Sequence, residues 1–178
     1  DEPASELLKR IAKERARLEA EGVCKKSKGT PPGGEDEQPF TVPDGWMWVR
    51  IDDVSQLVTD GEHATPTRTS DRSAIPLVTA KNVRDGYLDY THTDFVPKDV
   101  AEKCWKRCKP TLGDILLVSV GATLGRLSVL DHDRDMVLVR SVTVIRPCLV
   151  DRSFFTTALR SPIVQDSIWR GVKQSAQP

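Results

Sequence analysis

The sequence lacks the long apolar run of a membrane-spanning helix, since no stretch approaches the roughly 18 residues that such a helix needs. Its first residues, DEPASELLKR, are too acidic and polar for a signal peptide. We therefore expect a cytoplasmic protein with no membrane partner. At 178 residues and 38% hydrophobic content, the chain can bury the core of one domain with an appended segment.

An excess of charge of one sign is also missing, because 26 Lys and Arg residues balance 26 Asp and Glu residues. A polyanionic partner would therefore have to be held by a local basic patch. The four cysteines lack the paired spacing of a zinc site, and the three histidines are scattered in polar segments. We expect reduced cysteines, no metal and no cofactor.

The motifs of nucleotide-binding and hydrolytic enzymes are absent as well. In LLVSVGATLGR, residues 116–126, three residues separate Gly121 from Gly125, whereas a P-loop needs four, followed by Lys and Ser or Thr. The alternating RLSVL that follows indicates another strand and not the helix of a dinucleotide site. GxSxG is missing too, which argues against a hydrolase.

Composition divides the chain into three segments. Residues 1–22 have the acidic start, early proline and closing Gly22 of a helix. Residues 23–39 have no periodicity and a centre rich in proline and glycine, which is typical of a linker. We expect the folded domain over residues 40–178.

Within residues 40–178 the patterns predict many short strands, with helices mainly toward the end, and therefore an α+β domain. A hairpin turn is expected at Asp85-Gly86, and a short basic helix after Pro97. The expected strands include 46–51, 115–120, 126–130 and 136–146, and helices are expected to begin near Asp151 or Ser153 and at Pro162.

Three polar, glycine-bearing corners lie at the ends of expected strands, at residues 59–69, 80–86 and 119–126. Their hydroxyl, amide and basic side chains are groups that hydrogen-bond phosphates and base edges. Polar turns are also expected for solubility alone. A simple hairpin turn therefore remains an alternative for each corner.

Six phrases in series resemble the target recognition domain of type I restriction-modification specificity subunits. They are PDGWMWVRIDDV, TDGEHATP, IPLVTAKNVRDGYLDY, GDILLVSVGATLGR, VRSVTVIRP and LRSPIVQ, with SAQP at the end. The first helix also resembles the segment that precedes such a domain in one branch of the family. The resemblance therefore covers nearly the whole chain.

The resemblance implies a mixed, strongly twisted β-sheet with short helices, preceded by an N-terminal helix. It also implies a non-catalytic function, in which the subunit reads one half of a bipartite double-stranded DNA sequence. Separate modification and restriction subunits methylate and cleave the DNA. Family members have two such domains separated by long helices, so this chain resembles a fragment.

On this resemblance, the Gly121–Gly125 turn would bring backbone amides and Thr123 close to a DNA strand, with Ser119 and Arg126 nearby. Asparagine in the other corners would suit an adenine contact, and lysine or arginine a guanine or phosphate contact. The DNA-binding candidates of these two corners are Thr59, Asp60, His63, Thr65, Arg68, Lys81, Asn82 and Arg84.

Two questions stay open at the level of sequence. The basic run Lys103, Lys106, Arg107 and Lys109 fits either a solvated helix face or a DNA contact. The polar corners could also bind another subunit in a protein-interaction module that does not read DNA directly. Salt dependence separates the two functions, because phosphate-dominated binding falls steeply as salt rises.

Overall fold

A computed structural model describes residues 2–24 and 38–175, with side chains as far as Gly171. Most of the expected linker lies outside the described residues. The described chain forms two compact units: unit 1 runs up to Val58 and includes Arg146–Phe155, and unit 2 contains Thr59–Ile145 and the residues from Thr156 onward. The expected domain bounds 1–22, 23–39 and 40–178 remain a prediction.

In unit 1, helix α1 (Ala4–Ala20) begins after Pro3 and ends just before Gly22, as the sequence predicts. Gly22 has a φ of 69°, a left-handed conformation that glycine adopts at little cost. The Val23 amide then reaches back to the Leu18 carbonyl oxygen at 2.8 Å, which closes the last turn.

The face of α1 that packs inside unit 1 contains the buried residues Ile11, Arg15 and Leu18. Arg15 is only 8% exposed, and its Nη1 donates to the carbonyl oxygen of Asp52. Asp52 begins a single 3₁₀ turn, Asp52–Val54. The buried guanidinium therefore satisfies a carbonyl group within the same unit.

The remaining elements are short. The strands are β1 (Ser55–Asp60), β2 (Ile75–Val78), β3 (Val83–Arg84), β4 (Tyr87–Leu88), β5 (Asp94–Val96), β6 (Ile115–Val118), β7 (Leu127–Val129), β8 (Val137–Leu138) and β9 (Val142–Pro147). The helices that follow α1 are α2 (Lys98–Trp105), α3 (Arg152–Arg160) and α4 (Pro162–Ser175).

The strands form a four-stranded sheet in the order β1-β9-β6-β7, a three-stranded sheet in the order β5-β2-β8, and the hairpin β3-β4. Strand β6 is antiparallel to both β7 and β9. Strand β2 is antiparallel to β5 and parallel to β8. Mixed sheets with short helices confirm the predicted α+β class.

The local signals for turns and helix starts are confirmed at three positions. The hairpin pairs Arg84 with Tyr87 around Asp85-Gly86. The Asp151 carboxylate accepts a hydrogen bond from the Phe154 amide at 2.8 Å, which caps α3. Helix α4 begins at Pro162, as predicted.

The strand expected at residues 46–51 is wrong, because residues 46–50 have no regular secondary structure. Trp46 and Met47 are 57% and 53% exposed. The Trp48 indole donates to the Phe40 carbonyl oxygen at 2.9 Å, and the two rings meet edge to face. An alternating pattern forms a strand only where a neighbouring strand supplies backbone hydrogen bonds. Here local aromatic contacts take the place of those bonds.

A second correction concerns residues 136–146, which were expected to form one strand. They form β8 and β9, separated by an interruption at Arg140 and Ser141. The two strands belong to different sheets, which a run of apolar residues does not reveal.

The core of unit 2 is aliphatic. All four residues of β6 are buried, and they pair with the mostly buried strands β7 and β9. A second cluster joins α2 to the three-stranded sheet and consists of Leu77, Val96, Ala101, Cys104 and Val137. Burial of each large aliphatic side chain stabilises the fold by about 1.5–3 kcal/mol. None of the helices in the described parts of the chain combines the length and apolarity needed to span a membrane.

Asn82 connects two loops through its buried side chain. It is 1% exposed, and its Oδ1 accepts from the Thr79 amide at 2.9 Å and the Thr79 hydroxyl at 3.1 Å. Its Nδ2 donates to the Asp89 carbonyl oxygen and the Thr93 hydroxyl, both at 2.9 Å. The amide group therefore has all four of its hydrogen bonds inside the protein.

We predict that Asn82→Ala destabilises the chain by about 2–4 kcal/mol, because buried partners in both loops lose their hydrogen bonds. Urea unfolding measures the change. Lys81→Ala is the matched control, since Lys81 is exposed and its ion pair is screened by solvent. Equal stabilities of the two variants would contradict the structural role of Asn82.

Gly61 follows β1 in a site with no room for a side chain. A Cβ at this position would overlap the carbonyl group of Leu138 and lie 2.7 Å from the Val139 carbonyl oxygen. Both carbonyl groups belong to the backbone, one in β8 and the other directly after it, so neither can rotate away as a side chain could. The close approach is held by the Glu62 amide, which donates to the Leu138 carbonyl oxygen at 2.7 Å.

Gly61→Ala should destabilise the chain by about 1–3 kcal/mol, because the backbone must shift to admit the methyl group. Thermal unfolding of the variant tests this. Gly171→Ala serves as the comparison, since a Cβ there meets nothing within 4 Å and Gly171 lies inside α4. That change should stabilise by about 0.5–1 kcal/mol, and a Gly61→Ala variant as stable as the parent would refute the steric argument.

Candidate nucleic-acid interface

Two of the three polar corners meet at one end of the four-stranded sheet. The Gly61 amide donates to the Val142 carbonyl oxygen at 3.1 Å, and the Ser119 amide donates to the Ser141 carbonyl oxygen at 3.0 Å. The corners at 59–69 and 119–126 therefore flank the start of β9, although about 60 residues separate them in sequence.

The hairpin of the second corner, at residues 80–86, adjoins the same end. Gly86 donates its amide hydrogen to the Leu127 carbonyl oxygen at 3.0 Å. Leu127 directly follows Arg126 and begins β7. The turn of β3-β4 therefore lies beside the start of β7. We call the exposed and half-buried residues of this region the sheet-end surface: Asp60, His63, Ser119, Gly121, Thr123, Arg126 and Arg140.

The turn between β6 and β7 is held closed by its backbone. The Gly125 amide donates to the Val118 carbonyl oxygen at 2.9 Å, and the Leu124 amide donates to Gly121 at 3.1 Å. Gly121 has a φ of 102°, is exposed, and has nothing within 4 Å of the position of a Cβ. The backbone at Gly121 is therefore open to close approach by a large partner.

Gly125 has a different environment from Gly121. A Cβ at Gly125 would overlap Gln165 Oε1 of α4, and Gln165 Nε2 donates to the Gly125 carbonyl oxygen at 3.1 Å. Gln165 also donates to the Leu159 carbonyl oxygen at 2.8 Å. Gly125 is buried by the protein itself, and only Gly121 of the two glycines faces solvent.

Two arginines of the sheet-end surface have no side-chain partner among the described residues. Arg126 is half-buried next to the turn, and its amide donates to the Thr123 carbonyl oxygen at 3.2 Å. Arg140 is exposed, and its amide donates to the Glu62 carbonyl oxygen at 2.9 Å. Sequence reasoning missed Arg140, because the expected continuous strand concealed the interruption that exposes it.

The first corner is built around the Asp60 carboxylate. Asp60 Oδ2 lies 2.6 Å from His63 Nε2, and Arg107 Nη2 donates to Asp60 Oδ1. Arg107 Nε also donates to the Gly61 carbonyl oxygen at 2.9 Å. Burial alone would raise the pKa of Asp60, but the hydrogen bonds from Arg107 and His63 outweigh it and lower that pKa below its ordinary value.

The remaining candidates of the first corner are Thr59, Thr65 and Arg68. The Thr59 hydroxyl makes one long hydrogen bond of 3.4 Å, to the Asp60 carbonyl oxygen. Thr65 is exposed. Arg68 is exposed too, and its Nη1 lies 3.4 Å from Asp94 Oδ2.

Asp94 joins the first and second corners. The same carboxylate oxygen that meets Arg68 lies 3.3 Å from Lys81 Nζ. Arg84 pairs with Asp89 at 3.5 Å. These exposed or half-buried ion pairs are weak and screened, so the cations can exchange an internal carboxylate for an external anion at small cost. Asn82, in contrast, is buried with its amide fully used.

The basic run after α2 is divided among several contacts. Lys103 lies 3.8 Å from Asp99, while Lys109 lies 2.9 Å from Asp135 and 4.3 Å above the Trp105 ring. Lys106 is exposed. Arg107 is directed at the first corner, which distinguishes it from its neighbours.

The cysteines have the surroundings of packed thiols. None of the four forms a disulfide, and three are buried. Burial raises the pKa of the Cys104 and Cys148 thiols, which lowers their reactivity. Among residues 2–24 and 38–171, His, Cys, Asp and Glu side chains form no group of three that could hold a metal ion.

Sequence comparison relates this chain to type I specificity subunits of Escherichia coli. It is 37% identical over 100 residues to the EcoAI specificity subunit, covering 56% of this chain and 17% of that protein. It is 54% identical over 54 residues to the EcoEI specificity subunit, covering 30% of this chain and 9% of that protein. The match to the EcoBI specificity subunit is 28% over 108 residues, covering 60% and 22%. No family model matches the chain.

Structural comparison supports the fold. The HsdS subunit from Thermoanaerobacter tengcongensis superposes with a TM-score of 0.50 at 16% identity, covering 92% of this chain and 36% of that one. At this identity the likeness concerns the fold alone. The matched segments cover less than a quarter of the length of each of the three specificity subunits.

The sequence matches all concern one group of proteins, and the structural match concerns the fold alone. The chain is similar to a part of the specificity subunits of type I restriction enzymes, as the resemblance in its sequence predicted.

Proposed function

We propose that this chain recognises one half of a bipartite double-stranded DNA target as part of a type I specificity subunit. Its role is non-catalytic: it selects the sequence, while a modification subunit and a restriction subunit methylate and cleave the DNA. The relatives named above are specificity subunits, which supports this assignment.

The observation that carries the proposal is the sheet-end surface. It combines Arg126 and Arg140, which lack side-chain partners among the described residues, with the open backbone at Gly121. Arginines neutralise phosphates, and a glycine admits a DNA strand to backbone distance. A chain with no net charge needs such a local concentration of cations to hold DNA.

We assign positioning and readout to different residues. Arg126, Arg140, Arg68, Lys81 and Arg84 suit phosphates, which fix the register of the protein on the duplex. The candidates for base contacts are the polar side chains Thr59, Asp60, His63, Thr65, Ser119 and Thr123. Asn82 and Gly125 support this surface from inside the fold, because internal partners occupy them.

A second candidate function, a protein-interaction module, is favoured by apolar exposure in unit 1. Trp46, Met47 and Phe154 are each about half exposed, and the rings of Trp46 and Phe154 lie 5.9 Å apart. Exposed aromatic groups of this kind are enriched at protein interfaces. This surface and the sheet-end surface involve different residues, so the two functions are separable by mutation.

We predict that the chain enriches a short sequence motif from randomised duplex DNA. Its affinity should fall steeply between about 50 and 200 mM salt. A plot of the logarithm of the binding constant against the logarithm of the salt concentration should have a slope of about −0.9 for each neutralised phosphate. Recovery and sequencing of the bound DNA give the half-site, and titration gives the slope. A folded chain that enriches no motif and binds with little salt dependence would favour the protein-interaction module.

Arg126→Ala should weaken DNA binding and reduce the salt slope by about 0.9, because one phosphate contact is lost. The melting temperature should stay close to that of the parent chain, since Arg126 has no side-chain partner to lose among the described residues. Lys98→Ala removes the same charge from an exposed position at the start of α2 and should leave binding nearly unchanged. Unaltered affinity and slope in a folded Arg126→Ala variant would remove Arg126 from the interface.

A further inference from the structure

Arg107 holds the loop that follows β1 by several atoms at once. Its Nε donates to the carbonyl oxygens of Gly61 at 2.9 Å and Asp60 at 3.3 Å. Its Nη2 donates to the Asp60 carboxylate and lies 2.9 Å from His63 Nε2. The planar guanidinium thus contacts both the backbone and the side chains of a segment 46 and 47 positions earlier in the chain.

The segment that carries Arg107 is itself firmly anchored. The Arg107 amide donates to the carbonyl oxygen of buried Cys104 at 3.0 Å. Two residues further on, Lys109 lies 2.9 Å from Asp135 and 4.3 Å above the Trp105 ring. The Trp105 indole donates to the Met136 carbonyl oxygen at 2.8 Å. The guanidinium therefore projects from a rigid support that α2 and its core cluster provide.

The Asp60 carboxylate neutralises Arg107 and orients His63. His63 Nε2 lies 2.6 Å from Asp60 Oδ2, and in the tautomer with its hydrogen on Nε2 the ring donates to the carboxylate. The other ring nitrogen, Nδ1, receives no hydrogen bond from the described residues. The His63 side chain is 54% exposed, so the arrangement presents a ring of defined orientation to solvent.

We propose that Arg107 is a positioning residue for DNA recognition, which fixes the loop at residues 60–65 so that His63 and Thr65 meet the DNA in one geometry. This inference rests on the proposed function. Arg107 acts through Asp60 and Gly61 and is not itself a phosphate contact, because its charge and two of its nitrogens are already engaged within the loop.

The role depends on the shape of arginine. A lysine could keep the charge beside Asp60, but its single ammonium group cannot reach a carboxylate and two carbonyl oxygens with the same planar fork. Arg107→Lys should therefore leave the loop less ordered than in the parent chain, as Arg107→Ala does. A residue that only contributed positive potential would tolerate this change.

The experiment compares Arg107→Ala and Arg107→Lys with Lys106→Ala in the full 178-residue chain. Lys106→Ala removes the same charge from the adjacent exposed position and leaves the contacts of Arg107 intact. Hydrogen exchange at the amides of residues 60–65 reports the order of the loop without DNA. Affinities for the enriched motif and for a scrambled duplex report discrimination.

In both Arg107 variants we expect amide exchange in the loop to accelerate about tenfold, which corresponds to loss of charge-assisted hydrogen bonds. The ratio of affinities for motif and scrambled DNA should fall about tenfold, with little change in binding to the scrambled duplex. Lys106→Ala should leave both the exchange and the ratio as they are. Combining Arg107→Ala with Asp60→Asn should add little to the acceleration of amide exchange in the loop, since both changes remove the same support.

Four outcomes would overturn the inference. Loop exchange could stay unchanged in the Arg107 variants, or it could rise without any loss of discrimination. Arg107→Lys could match the parent chain, or Lys106→Ala could lose as much discrimination as Arg107→Ala, which would indicate a charge effect.

Failure of the proposed function gives a different result. If the parent chain does not discriminate between DNA sequences, the proposed function fails and the recognition role of Arg107 fails with it. The exchange data then still decide whether Arg107 orders the loop.

Discussion

The pairing of backbone strands around the start of β9 is the constraint on which the candidate interface depends. Gly61 and Ser119 donate to the neighbouring carbonyl groups of Val142 and Ser141. Strand β6 is antiparallel to β9, so the end of β6 lies beside the start of β9, and the Gly61 amide brings the residue after β1 to the same edge. Polar corners that are far apart in sequence become one surface for this reason, and the buried aliphatic strand β6 keeps that edge rigid.

Most of the exposed charges discussed above are paired locally. The chain has no net charge, and internal carboxylates hold several of its exposed cations: Asp60 holds Arg107, and Asp94 holds Arg68 and Lys81. Such pairs orient long side chains while contributing little stability. Arg126 and Arg140 differ, because the described residues offer their side chains no partner. A weak overall potential with a few exposed cations fits the proposed DNA recognition, in which specificity would come from local geometry more than from bulk attraction.

Several features were predictable because they are local. Pro3 and Gly22 delimit α1, Asp85-Gly86 forms the hairpin, and Asp151 caps α3, since each depends on the conformational preference of a few adjacent residues. The strand expected at residues 46–51 failed because alternation does not say whether a neighbouring strand exists. The sequence did not predict the interruption that exposes Arg140, because that interruption arises where β8 and β9 join different sheets.

The sequence by itself determined the α+β class, the helix ends and turns, the polar composition of the three corners and the relation to type I specificity subunits. Only the tertiary structure decided which residues of those corners are available. The side chain of Asn82 is hydrogen-bonded to Thr79, Asp89 and Thr93, and Gln165 occupies the space beside Gly125. Gly121, in contrast, faces solvent. Availability depends on contacts between segments distant in the chain, and no local pattern contains that information.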